Sequence, residues 1–143
     1  MWAIFLFYLL ILIVSSKSYT KYMLYNIKGT DLSITLENRT YVEKRIKALD
    51  KFFPKKSAPR IDIELQHMHG EAGMYRAEGT LHDHGFEGDF RAEATGGGIN
   101  EAIDLMVGNL NLEVARAKKR IIHDKRKGAA RIKDFIRGLT ERF

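Results

Sequence analysis

Four of the five histidines stand in two close pairs, His67-Met68-His69 and His82-Asp83-His84. Brought together, two such pairs would offer a metal ion four imidazoles. The elements that carry them keep them apart. Residues 60–68 alternate, with Ile61, Ile63 and Leu65 on one side and Asp62, Glu64 and Gln66 on the other, the period of a half-buried strand. Residues 75–82 alternate likewise after the turn Gly70-Glu71-Ala72-Gly73. Antiparallel neighbours place the ends of these two strands at opposite edges of the sheet, about 17–20 Å apart. The histidines are read as solvated strand-end residues, and no metal site is expected.

Other candidates for chemistry fail on position. Glu64, Glu78, Glu87 and Asp89 are the residue type for general acid–base work, but their alternation puts them on an exposed sheet face with no element to form a cleft. Gly96-Gly97-Gly98 precedes a helical stretch, where backbone N–H groups can hold a phosphate. The run lacks the Gly-Lys-Ser/Thr of a phosphate loop and the spacing of a dinucleotide fingerprint, so it reads as a flexible connection. The 143 residues contain no cysteine, which excludes a disulfide framework, a thiolate nucleophile and cysteine-ligated zinc. No catalytic residue, cofactor or small-molecule substrate is expected.

The cations are different in kind. A helix is predicted over 36–53, with Thr35 as its N-cap, Glu37 in its first turn and Pro54 beyond its end. Leu36, Val42, Ile46, Leu49 and Phe53 form its apolar stripe, while Lys44, Lys47 and Lys51, with Arg45 beside them, form a basic ridge. A long second helix is predicted from Ile99, with Ile103, Met106, Leu110, Val114, Ala117 and Ile121 at helical spacing. Beyond Leu110 its exposed positions are Arg116, Lys118, Lys119, Arg120, His123, Lys125, Arg126 and Lys127. Gly128 is expected to end or kink it, and residues 131–143, with Ile132, Phe135, Ile136 and Leu139, form a short amphipathic helix. Residues 60–114 carry three basic and eleven acidic side chains, whereas residues 115–143 carry eleven basic and three acidic within a total of +6. Such a pole attracts polyanions. Without exposed aromatic stacking platforms, folded RNA suits it better than extended single strands.

Strands predicted over 23–28, closed by Gly29, and over 86–93 complete the order β-α-β-β-β-α. This is an α+β fold, one four-stranded, mostly antiparallel sheet with two helices packed on one face. The length allows one compact domain, 23–128, followed by a basic amphipathic tail, 129–143. Residues 1–22 form a hydrophobic leader. Its thirteen consecutive apolar residues, 2–14, would make a helix of about 20 Å against the roughly 30 Å of a bilayer core. Three readings stay open: a dispensable leader with the true start at Met23, a membrane tether, or a secretory signal. Membrane contact is expected only if the leader is real.

These residues resemble the ribosome hibernation-promoting factors, also called ribosome-associated inhibitors, ribosomal subunit interface proteins or sigma-54 modulation proteins. Asn26-Ile27-Lys28-Gly29 with Ile34-Thr35 is similar to the family's opening strand and helix cap. Residues 42–53, with Arg45-Ile46 and Leu49-Asp50-Lys51, are similar to its first helix, and Ala102-Ile103-Asp104 to the start of its second. The resemblance implies a cytoplasmic, non-catalytic factor of stationary or stressed cells. It would bind the small ribosomal subunit, alone or in whole ribosomes, through ribosomal RNA in the decoding channel, and so block mRNA and tRNA. Arg45 and Lys51 match frequent basic positions, while Ala48 replaces a usual lysine. Gly98-Ile99-Asn100 replaces a usual Asp-Met-Tyr, and the second basic cluster begins about seven residues late, with Asn109, Leu112 and Glu113 in the usual places. No counterpart of the long form's dimerisation domain is expected, and with it no direct ribosome dimerisation. The alternative reading is a general binding module for structured RNA or double-stranded nucleic acid.

Overall fold

The computed structural model describes residues 23–54, 57–70, 74–86 and 88–141. The leader and its three readings lie outside them. β1 (Leu24–Thr30) is followed by α1 (Leu36–Ile46), a 3-10 helix (Lys47–Phe52), β2 (Arg60–Met68), β3 (Met74–His82), β4 (Phe90–Gly96) and α2 (Ile99–Thr140). The sheet order is β1-β2-β3-β4. β1 and β2 are parallel, joined by the α1 crossover, and the other two pairings are antiparallel. The expected fold class is the observed one.

α1 begins where Thr35 Oγ1 accepts from the Asn38 amide at 3.1 Å and Asn38 Oδ1 accepts from the Thr35 amide at 3.1 Å, a reciprocal cap built with asparagine. Its α-helical part stops at Ile46 and tightens into the 3-10 helix. Phe53, preceding Pro54, is then forced to extended backbone at φ −114°. Val42, Ile46 and Leu49 are buried as expected, each worth about 1.5–3 kcal/mol of apolar transfer. Leu36, placed on the stripe by periodicity, is 80% exposed in the first turn.

Both helices lie on one face, where Ile61, Ile63 and Leu65 of β2, Ala77 and Leu81 of β3 and Ala92 of β4 meet Ile103, Met106, Leu110 and Val114. A Cβ on Gly79 would stand 2.6 Å from Met106 Sδ, so this glycine lets α2 lie close on the sheet. Because β2 is parallel to β1 and β4 is antiparallel to β3, α1 and α2 both start at the end marked by Thr30 and Gly96. They run side by side toward the end marked by Leu24 and Arg60.

Three expectations are corrected. β4 starts at Phe90, because Gly88 at φ +86° interrupts the extended run, and Phe86 folds back to meet Phe53 and Phe90 edge-on at 6.0 and 5.1 Å. β1 continues past Gly29. A Cβ there would collide with the Leu32 carbonyl oxygen, and the left-handed residue is Asp31 at φ 53°. Finally, α2 passes through Gly128 unbroken to Thr140, so the amphipathic tail is the last part of the same helix. A solvated glycine costs a helix only about 1 kcal/mol, and lysine, arginine and alanine surround this one. Roughly 40 Å of helix extends beyond Val114, the last buried residue.

Candidate nucleic-acid interface

The overhanging part of α2 is exposed on every side from Ile122 onward. Ile132, Phe135 and Leu139 fall on the line that buries Ile103, Leu110 and Val114 under the sheet. They remain 63%, 68% and 44% exposed once the sheet has ended. Phe135 is thus an exposed aromatic, contrary to the expectation of none.

Lys44, Arg45, Lys47 and Lys51 are all exposed, as expected, on the α1 side of the helical layer. Lys51 Nζ sits 5.0 Å from the centre of the Phe52 ring, a contact that holds the ammonium near the surface. Arg45 turns toward α2, where its Nε lies 2.6 Å from Asp104 Oδ1. Arg116 pairs with Glu113 one turn back at 2.9 Å. Lys118, Lys119, Arg120, His123, Lys125, Arg126 and Lys127 are exposed and make no ion pair among the described residues. At 3.6 residues per turn these seven encircle the helix, and they lie past the sheet's edge. The two cation groups therefore follow one another along the helical layer, the first beside the sheet and the second around the overhang.

Periodicity missed Tyr41 and Asp104. The Tyr41 hydroxyl donates to the Asp104 carboxylate, 2.9 Å from each oxygen, and this bond pushes the phenol's pKa above its ordinary value. In the sequence, Asp104 stands out as an acid one residue after the buried Ile103 and as the last residue of the Ala102-Ile103-Asp104 match, with nothing that joins it to Tyr41.

On the open face of the sheet, Glu64, Glu78 and Glu93 are taken up in pairings, while Glu87 lies outside the described residues. Glu64, Glu78 and Glu93 stand opposite one another across three strands. Thr30 donates to Glu64 at 2.6 Å, Arg91 meets Glu78 at 2.7 Å, and Arg76 bridges Glu78 and Glu93 at 2.5 and 2.7 Å. Arg76 holds the Glu93 carboxyl below the usual range, and Arg60 does the same for Asp62. The histidine pairs sit at opposite sheet ends, with His67 opposite Tyr75 and His82 opposite Arg60. His82 meets Asp89 through Nδ1 at 2.8 Å and Asp62 through Nε2 at 3.3 Å, so the two carboxylates lie on opposite sides of the ring. Among the described residues, no three His, Asp or Glu side chains converge to hold a metal ion. At the start of α2 the Glu101 carboxylate accepts from the Gly97 amide at 2.9 Å, occupying with an internal acid the place considered for a phosphate.

A four-stranded sheet bearing two parallel helices, one of them a cationic rod that outruns it, defines an α+β domain with a cation-rich helical layer. The family model described as Sigma 54 modulation protein / S30EA ribosomal protein matches residues 25–122, and the chain belongs to that ribosome-associated family. The fold is similar to the N-terminal domain of Protein Y from Thermus thermophilus, with a TM-score of 0.57 and 28% identity over 66% of this chain and 98% of that one. It is also similar to a ribosomal subunit interface protein from Coxiella burnetii, with a TM-score of 0.55 and 17% identity over 68% of this chain and 99% of that one, a likeness of fold. Among the described residues no helix is long and apolar enough to cross a membrane.

Proposed function

We propose that this chain is a translation-inhibiting hibernation factor that binds the small ribosomal subunit, alone or within whole ribosomes. Its helical layer enters the decoding channel and excludes mRNA and tRNA. The observation that carries this reading is the row of exposed, unpaired cations from Lys118 to Lys127 on a helix projecting from a ribosome-associated domain. Phosphate contacts from Lys44, Arg45, Lys47, Lys51, Arg116, Lys118, Lys119, Arg120, His123, Lys125, Arg126 and Lys127 would release condensed counterions and supply most of the affinity. A rod about one α-helix wide suits a channel that otherwise holds RNA strands. The domain contributes no catalytic step.

Order of addition in a purified translation system tests the proposal. Added before mRNA and initiator tRNA, the protein is expected to suppress synthesis strongly. Added after initiation complexes have filled the channel, it is expected to act weakly. Equal inhibition in both orders would overturn channel binding and favour the general structured-RNA module.

A further inference from the structure

Among the cations of the helical layer, Arg45 is held by groups from both helices, Asp104 of α2 and, through it, Tyr41 of α1. Lys44 and the six overhang lysines and arginines have no ion-pair partner among the described residues, so each is a flexible side chain that must be ordered when it meets a phosphate. Arg45 is anchored instead. Its Nε contacts Asp104 Oδ1 at 2.6 Å, and Asp104 is itself fixed by the Tyr41 hydroxyl, 2.9 Å from both carboxylate oxygens. Tyr41 and Arg45 are one helical turn apart on α1, while Asp104 reaches them from α2, so the anchor spans both helices. Among the described residues Arg45 makes one ion pair, with Asp104, and its side chain is 44% exposed. A half-exposed guanidinium that ion-pairs closest through Nε can turn its Nη1/Nη2 end to a second, forked interaction, the geometry that suits a phosphate.

Resting on the reading under Proposed function, we infer that Asp104 and Tyr41 are positioning residues for RNA-backbone recognition. They preset Arg45 as a phosphate fork at the junction of the two helices. The inference has a sign that simple electrostatics does not share. Asp104 is a negative charge inside a cationic surface, and removing it raises the net charge by one. If charge alone mattered, Asp104→Asn would bind ribosomes more tightly and with a steeper salt dependence. If Asp104 presets Arg45, the same variant binds more weakly, because the arginine must now be ordered on binding.

The experiment is a two-by-two comparison of full-length chains by ribosome sedimentation at fixed salt. Its members are wild type, Asp104→Asn, Arg45→Ala and the double variant, with Tyr41→Phe as the milder member and thermal midpoints recorded for all. Asp104→Asn is expected to weaken binding roughly three- to tenfold, and Tyr41→Phe about twofold. In the Arg45→Ala background Asp104→Asn is expected to have no effect or to tighten binding slightly. Equal or tighter binding by Asp104→Asn in the wild-type background would overturn the inference and leave the functional reading standing. Equal weakening in both backgrounds would also overturn it, since a loosened α1–α2 contact acts without Arg45. A wild-type chain that does not bind ribosomes would overturn the functional reading, and this inference with it.

Discussion

One guanidinium nitrogen of Arg76 on β3 meets Glu93 on β4 at 2.7 Å and, two residues along its own strand, Glu78 at 2.5 Å. The carboxyl of Glu93 is held below its ordinary range chiefly by that hydrogen bond, and the carboxyl of Asp62 by Arg60. A group whose folded pKa is depressed contributes stability above its unfolded pKa, near 4, and loses it as pH falls through the folded value. Thermal midpoints should therefore be flat from neutral pH to about 5 and fall below about 4. Replacing Arg76 by methionine should lower the midpoint at pH 7 by an amount corresponding to about 1 kcal/mol, with a smaller loss on acidification. Midpoints followed from pH 7 to 3 for both proteins check this.

Gly29 and Gly128 should respond in opposite ways to the same change. At Gly29 a methyl group would collide with the Leu32 backbone oxygen, so Gly29→Ala forces the end of β1 to shift and should cost about 2–3 kcal/mol by denaturant titration. Nothing lies within 4 Å of a Cβ at Gly128. Gly128→Ala should leave the denaturant midpoint unchanged while raising helicity and slowing amide exchange over 122–140, by up to about 1 kcal/mol of local opening energy.

What periodicity revealed and what it hid follow from the range of each effect. Ile61, Ile63 and Leu65 alternating with Asp62, Glu64 and Gln66 gave the second strand its faces, and the Thr35 cap and Pro54 bracketed the first helix. Ile103, Met106, Leu110 and Val114 marked the buried half of α2. These signals are local and repeat. The turn at Gly88 was hidden because the Phe90 and Ala92 face pattern persists through residues that are not extended. The continuity of α2 was hidden because a solvated helix end has no apolar partner to oppose a glycine signal. The basic residues were legible by type, but the pairing of Arg45 with Asp104 was not, since it depends on two helices lying side by side.

The overhang cations should contribute as phosphate contacts that can be counted. Lys119→Gln with Arg120→Gln should reduce the slope of log affinity against log salt by about two, without changing the thermal midpoint, since both side chains are exposed and unpaired. Ribosome sedimentation at four or more salt concentrations gives the slope.

If the cationic helical layer occupies the channel of the small subunit, the protein and the channel's RNA ligands must compete. Full-length protein would be sedimented with small subunits and with whole ribosomes across a salt series, with and without tRNA and mRNA. Saturable binding that weakens steeply with salt and is displaced by tRNA and mRNA is the expected result. Binding that tRNA leaves untouched, or that free RNA matches in affinity, would contradict it.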